Sequence, residues 1–374
     1  MELLQKFQSC MNELPESDRP GLSVTTESKE TEFYRVARGL VSDLFVPNEK
    51  RYWVDFTLSA VMAYVCASFF LALPLTSGLA WVAFFAAVLT IYRASMFIHE
   101  IAHMPQDQMK GFKLFWNIFA GIPMMIPAFT YESHTHHHSS RHYGTEHDGE
   151  YLPFARGTVW GILAFFAQVL FQPLLVFLRY LIGTPVSFLH PQLRKYFYRH
   201  ATSLVINFKY QKNVKPGTFT TENTILEIAC SFRTWVMILL VVFGVMPPIR
   251  LPKLLMLAIG ALVLNHIRTL SAHRYRSDGR KVSHLDQFLD STNITGSWLT
   301  ELIFPCGLRY HALHHLFPGI PYHNLGKAHR RLMAQLPKES VYHENVYPNL
   351  LVVLKELWNA VRANPRDGVY LQRE

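Results

Sequence analysis

Gly78-Leu-Ala-Trp-Val-Ala-Phe-Phe-Ala-Ala-Val-Leu-Thr-Ile-Tyr-Arg-Ala-Ser-Met-Phe-Ile98 runs without a break into His99-Glu-Ile-Ala-His103. Only Arg93 interrupts the apolar run, which is long enough to cross a hydrocarbon core of about 30 Å. His99 and His103 stand four apart, so on a helix they share a face. A helix that delivers two imidazoles to one membrane surface sets the plan for the rest of the chain.

Upstream, Trp53 to Leu75 is a second apolar run, with Asp55 near its start, and the uncharged link around Thr76 and Ser77 can barely turn. The pair reads as a helical hairpin that leaves and returns on the same side. Leu114 to Phe129 is short and broken by Pro123 and Pro127, so it is expected to lie in the surface. Three more runs follow: Thr158 to Ile182, Ala229 to Met246 and Leu254 to Ile267. Pro247 and Pro248 turn the last two into a second hairpin. Three crossings after the first hairpin would put later residues on the wrong face, so one run must fail to cross. Thr158 to Ile182 is that run, because it carries Gln168, Gln172, Pro173 and Arg179. The basic stretch behind it (Arg194, Lys195, Arg199, Lys209, Lys212, Lys215) belongs on the cytoplasmic side. The expected fold is an all-α integral membrane protein: four transmembrane helices in two hairpins, interfacial helices, and a cytosolic histidine-rich cap.

Two further histidine clusters share one spacing. His134, His137 and His138 read H-x-x-H-H, and so do His311, His314 and His315. Positions i, i+3 and i+4 lie on one helical face. With His99 and His103 this makes eight imidazoles, too many for one ion and suited to two. Imidazole binds iron, copper, zinc and nickel, and iron is the usual choice for dioxygen chemistry.

Half of the 374 residues are hydrophobic and only 17% are charged, which suits a membrane protein. Cys10, Cys66, Cys230 and Cys306 form no C-x-x-C pair, which argues against a disulfide framework or zinc ribbon. The first fifty residues are polar and show no signal-peptide core. A net charge of +9 fits a positive-inside bias and anionic lipid headgroups; no motif supports nucleic-acid binding.

Taken alone, His99-Glu-Ile-Ala-His103 matches the H-E-x-x-H signature of zinc proteases. That reading needs one further ligand and gives no reason for two H-x-x-H-H boxes. A metal carrier or sensor would place ionisable ligands inside the spans, whereas these boxes fall just outside them.

The three boxes, their order and their placement after helical hairpins resemble the membrane-bound fatty acid desaturase family, which includes related hydroxylases. The resemblance covers roughly residues 50 to 340. It extends to Tyr143-Gly-Thr and Asp148-Gly-Glu-Tyr151 after the second box, and to Gly307-Leu-Arg-Tyr-His-Ala-Leu-His-His-Leu-Phe-Pro318 around the third. It implies a diiron site that activates dioxygen and oxidises an unactivated C–H bond of a lipid chain. A desaturase is the leading expectation, with a lipid hydroxylase of the same superfamily as its alternative.

The resemblance also implies a further ligand between the second and third boxes. An acyl-CoA desaturase branch has Asn-x-x-x-His there; here Asn265 is followed four residues later by Thr269. His273, directly after the apolar helix, is the favoured ninth imidazole. His266 lies two turns deeper and is the alternative, as ligand, supporting group or buried structural histidine. Ligating histidines usually donate their second ring N–H to a carboxylate or carbonyl, and the candidates are Glu100, Asp148, Glu150, Asp286 and Asp290. Asp286 and Asp290 are four apart and are expected to share a face toward the third box. His136, His142 and His147 read as solvated; His190, His200, His284, His323, His329 and His343 read as surface or structural.

Electrons come from elsewhere, because the chain shows no dinucleotide fingerprint, no cysteine set for an iron–sulfur cluster and no haem-binding His-Pro-Gly-Gly segment. A separate acidic donor, a ferredoxin or cytochrome b5, is implied. The basic stretch and Arg330-Arg331 could steer it or sit on headgroups. An apolar channel between the hairpins and the cap is expected to hold the acyl chain. Residues 1–48 read as a polar cytosolic segment with a short helix near Glu30 to Leu44. Residues 49–345 read as the membrane-bound domain, and 346–374 as a cytosolic amphipathic helix (Leu350, Leu351, Leu354, Leu357, Val361) and tail. The histidine boxes are expected on the cytoplasmic side of a bacterial inner membrane or endoplasmic reticulum.

Overall fold

A computed structural model describes residues 22–215 and 217–363. The polar residues 1–21 and the tail 364–374 lie outside the described residues. The described residues are mostly helical, with one short parallel strand pair among them, β1 (Asn293–Ile294) and β2 (Val346–Tyr347).

Helix α1 (Leu22–Val41) opens the described chain and is followed by a 3₁₀ turn at Ser42–Leu44, so the helix expected near Glu30 begins earlier and ends on time. Asn48 caps α2 (Glu49–Ala72), its side chain accepting from the Arg51 N–H. After the turn at Pro74–Ser77 comes α3 (Gly78–His103), packed antiparallel on α2 as the hairpin expected from sequence. Next is α4 (Lys110–Trp116), which passes through a π-helical turn at Asn117–Gly121 into a 3₁₀ turn at Ala128–Tyr131. Nothing in this region is long enough to cross a membrane. The Asn117 carboxamide stitches the bend, donating to Lys113 O and accepting from the Ala128 N–H.

The second box forms the short α5 (His134–His137). Helix α6 runs Val159–Leu178 and continues through a π-helical turn at Arg179–Gly183 to Ser187. It is followed by α7 (Pro191–His200), α8 (Thr221–Val242) and α9 (Arg250–Ala272). Helices α8 and α9 flank the turn at Pro247 and Pro248. Among the described residues, five helices are long and apolar enough to cross a membrane: α2, α3, α6, α8 and α9.

Lys253, buried near the start of α9, caps the far end of α2. Its ammonium donates to Phe70 O at 3.0 Å and to Leu71 O and Leu73 O, carbonyls that a helix end leaves without partners. The turn after α2 and the turn before α9 therefore meet at one end, and the histidine-bearing ends of α3 and α9 lie at the other. Helix α9 packs on α3 and α6 rather than along α8, so the second pair is not the close hairpin expected from sequence. Gly260 allows this approach, since a Cβ there would stand 2.6 Å from Val88 Cγ2.

The polar residues of α6 line one stripe. Gln168 Nε2 donates to Ile206 O at 3.1 Å, Gln172 Nε2 to Val205 O at 3.4 Å, and Arg179 Nε to Ala201 O at 3.0 Å. The strap Ala201–Ile206 thus runs back along α6, and its Leu204 and Ile206 N–H groups bond Thr130 O and Gly149 O beside the second box. Arg179 and Arg194 both pair with the buried Glu227 of α8, at 2.7 and 2.6 Å.

The cap follows: α10 (His284–Asp290), α11 (Trp298–Ile303), α12 (His311–Leu316), α13 (Tyr322–Gln335) and α14 (Leu350–Ala363). Its core joins Val41, Phe288, Leu313, Phe317, Leu332 and Tyr342. On α14 the buried face is Val353, Leu357 and Val361, while Leu351 is exposed, so the amphipathic face is rotated from the one read in sequence. The basic stretch is also less free than expected, because Arg194 is held by Glu227 and Lys212 is buried against Glu132 and Phe129 O.

Candidate metal centre

Three short helical pieces and one helix exit bring nine imidazoles together. The last turn of α3 carries His99 and His103, α5 and its C-cap carry His134, His137 and His138, α12 carries His311, His314 and His315, and His273 follows α9. They form two groups, in each of which one ligand atom per residue lies within 4.8 Å of all the others. The first holds His99, His103, His134, His138 and His314; the second holds His137, His273, His311 and His315. The groups touch where His138 and His315 stack, ring centroids 4.2 Å apart.

The inward atoms are Nε2. In the first group His314 Nε2 stands 3.0 Å from His103 Nε2 and 3.2 Å from His138 Nε2, which is 3.1 Å from His134 Nε2. In the second, His273 Nε2 lies 3.1 Å from His137 Nε2 and 2.9 Å from His311 Nε2, which is 3.2 Å from His315 Nε2. Two nitrogens bonded at about 2.1 Å to one ion, at a right angle, stand about 3 Å apart, so these edges fit a shared cation. His99 is buried with neither ring nitrogen hydrogen-bonded; Glu100 Oε1 lies 3.8 Å from its Nδ1, and its Nε2 is an orphan that a cation would satisfy.

Carboxylates fix the outer nitrogens. Asp148 accepts from His137 Nδ1 at 2.9 Å and Glu150 from His134 Nδ1 at 2.8 Å. A carboxylate only accepts, so each Nδ1 carries the proton and each Nε2 lone pair is left facing inward. Around His273 the link is longer. Tyr143 gives its one hydroxyl proton to Asp290 at 2.8 Å and so accepts from His273 Nδ1 at 2.9 Å. Ser291 Oγ lies 3.1 Å from the same nitrogen. Asp290 also takes the Tyr151 hydroxyl and the Arg276 N–H.

Burial first, and the crowding of neighbouring imidazoles second, holds His134, His138, His311, His314 and His315 far below the ordinary imidazole range. Neutral imidazole is the form that binds a metal. His137 alone is pushed upward: burial lowers it, and the Asp148 carboxylate outweighs burial.

The remaining candidates are placed outside both groups. His266 stacks on Phe165 at 4.2 Å, its Nδ1 bonded to Leu262 O, and joins neither group. Asn265 holds Arg268. Glu100 stays beside the site: its Oε2 takes the Tyr52 hydroxyl and the Tyr322 N–H, and its Oε1 stands 3.8 Å from His99 Nδ1, on the outer side of that imidazole where the sequence expected a supporting acid. Asp286 is exposed and caps α10 in a box with Ser283, so the expectation that it faces the third box is corrected. Helix start signals explain it: Ser-x-x-Asp satisfies free N–H groups. Tyr143 and Ser291 were not assigned a role from sequence; Tyr143 sits in the stretch that carried the resemblance. An apolar groove, lined by Phe166, Leu270, Leu357 and Trp358 among others, opens between α6, α9 and α14.

A mostly helical, membrane-compatible scaffold closing on buried histidine boxes fits a class of lipid-modifying oxidoreductases. The model of the fatty acid desaturase family matches residues 75–346, and the chain belongs to that family. It is 40% identical over 334 residues to a ceramide hydroxylase of Caulobacter vibrioides (strain NA1000 / CB15N), covering 88% of this chain and 93% of that protein. No solved structure matches the chain.

Proposed function

We propose that this protein is a dioxygen-dependent diiron lipid hydroxylase acting on a ceramide-type lipid. The observation that carries this reading is 40% identity along nearly the whole length of a ceramide hydroxylase, joined to nine imidazoles in two adjoining groups. It favours insertion of oxygen over the desaturation that the boxes alone suggest, since both outcomes use the same ligands.

His99, His103, His134, His138 and His314 would hold one iron, and His137, His273, His311 and His315 the other. Bound iron supplies dioxygen activation. Asp148, Glu150 and the Tyr143–Asp290 pair keep the imidazoles aimed, and the buried cap excludes water. Overall, one atom of dioxygen enters a C–H bond as hydroxyl and the other leaves as water, taking up two protons and two electrons. The electrons come from a separate ferredoxin or cytochrome b5 type donor.

In the bilayer, α2 with α3 and α8 with α9 form the two crossing hairpins, giving four spans with the histidine groups on the cytoplasmic side. Helix α6 lies along that side, as supported by its attachment to the strap Ala201–Ile206 at three points. Residues 49–345 form the membrane domain, flanked by cytosolic segments 1–48 and 346–374.

The test is lipid mass spectrometry of a ceramide-producing host with and without the chain. Ceramide that gains one oxygen atom supports the reading. Ceramide that loses two hydrogens instead returns it to desaturation, and an unchanged ceramide pool overturns it.

A further inference from the structure

Asn265, Arg268 and Thr269 stand at i, i+3 and i+4, and so share one face of α9. Arg268 is buried, and among the described residues no carboxylate lies within ion-pair distance of it. Its guanidinium instead bonds Asn265 Oδ1 twice, from Nε at 3.2 Å and from Nη2 at 3.1 Å, and reaches Thr269 Oγ1 at 3.3 Å.

A guanidinium has donors and no acceptor, so it decides which way the Asn265 carboxamide points. Oδ1 faces Arg268, and the Nδ2–H₂ donor faces away. That donor has no partner among the described residues, although Asn265 is half-buried in a helix long and apolar enough to span. A polar donor in such surroundings is costly unless an acceptor meets it. Asn265 lies eight residues before His273, about 12 Å along the helix axis, on the membrane side of the imidazole groups. The groove-lining Ile267 and Leu270 occupy another face of the same helix.

We infer that the Asn265 carboxamide, oriented by Arg268, donates a hydrogen bond to the amide carbonyl oxygen of the lipid substrate. This deepens the ceramide hydroxylase reading and rests on it. The carbonyl oxygen becomes the fixed point from which the oxidised carbon is counted along the chain, so Asn265 is a specificity-determining residue of substrate position. It is not a metal ligand.

Asn265→Asp isolates the idea. It preserves an oxygen for Arg268, strengthens that contact by adding charge, and replaces the outward donor with an acceptor. The iron-loaded full-length chain in lipid nanodiscs, without reductant, is titrated with an N-acyl sphinganine and with a neutral analogue in which a carbon-linked alkyl chain replaces the N-acyl group, so that the carbonyl is absent and no charge is gained. The wild-type chain should prefer the N-acyl lipid. Asn265→Asp should weaken N-acyl binding about tenfold, leave binding of the carbonyl-free analogue unchanged, and on turnover shift or scatter the hydroxyl along the chain. Asn265→Gln, which retains the donor, should keep the preference. An Asn265→Asp chain with wild-type preference and a wild-type product overturns the subsite while leaving the hydroxylase reading intact. Equal loss for both lipids also overturns it. A wild-type chain that neither prefers the N-acyl lipid nor hydroxylates it overturns both.

Discussion

His137 and His314 are the middle members of two H-x-x-H-H boxes, and each sits in the imidazole group opposite to its own box neighbours. His134 and His138 belong with His314, while His311 and His315 belong with His137. Each box thus gives its i and i+4 rings to one group and its i+3 ring to the other. The repeated spacing has a geometric consequence: each box contributes to both groups, so neither box could complete a group alone.

Interlocking makes metal content readable by single substitutions. His314→Ala should open the first group and leave the second complete, and His137→Ala should do the reverse. Each variant should bind close to one iron per chain where the wild type binds two, measured by elemental analysis of purified protein. Hydroxylation should fall by more than about 100-fold, because losing only the groups behind metal ligands already costs 10–100-fold. Two irons retained in either variant would remove that residue from the ligand set.

Asp148 is fully buried and holds both His137 Nδ1 and the Gly144 N–H on one oxygen. Asp148→Asn keeps size and one acceptor while removing the charge. Iron affinity, measured against a competing chelator, should drop about 10–100-fold, with little change in helix content by circular dichroism. An unaltered affinity would reduce Asp148 to a loop-folding residue.

The Tyr143 hydroxyl and Ser291 Oγ both lie within hydrogen-bond distance of the same nitrogen of His273. Tyr143→Phe should therefore cost only a few-fold in iron affinity, since Ser291 remains, and Ser291→Ala should cost less still. The double variant should lose more than the product of the two single effects, because no acceptor is left for Nδ1–H. Multiplicative behaviour would show that the two oxygens act independently.

The parts of this architecture that depend on period and composition were legible in the sequence. The first hairpin and the three boxes follow from helical spacing and from where apolar runs stop; that a further imidazole joins them was implied by the family resemblance, and the end of an apolar run singled out His273. What was not legible depends on partners distant in the chain. The polar residues of α6 mark it as unlike the other long runs, but only the strap at Ala201–Ile206 shows what they bind. Asp286 and Asp290 share a helical spacing, yet local capping claims the first and two tyrosines claim the second. Leu351 fits an apolar stripe and is nonetheless exposed, because the buried stripe is set by what α14 packs against. The cations Arg194 and Lys212 read as surface charge until Glu227 and Glu132 are found beside them.

Lys253 supplies a test of the hairpin arrangement. It is buried, and it satisfies the terminal carbonyls of α2 from another helix. Lys253→Met preserves the aliphatic stem and deletes the donors, leaving buried acceptors at a cost of about 1–3 kcal/mol. The variant should unfold at lower temperature in detergent, with iron content per folded chain unchanged because the histidine groups lie at the opposite end. Loss of iron in the folded variant would contradict that separation.

The position of α6 can be read from labelling at its two ends. Thr158 precedes it, and Leu189 follows it with 77% exposure. In a background with the native cysteines replaced by serine, Thr158→Cys and Leu189→Cys should both react with a membrane-impermeant maleimide in inside-out vesicles. Neither should react from the outer face of intact cells. The reason is structural: the strap that hydrogen-bonds Gln168, Gln172 and Arg179 is itself bonded to Thr130 and Gly149, beside His134 and Asp148. On the proposed arrangement the strap ties the Gln168 end of α6 to the histidine-bearing layer, and both ends of the helix stay on that side. Labelling of the two positions from opposite faces would make α6 a fifth span. It would also put α8 on the wrong side for a hairpin that returns His273 to its partners.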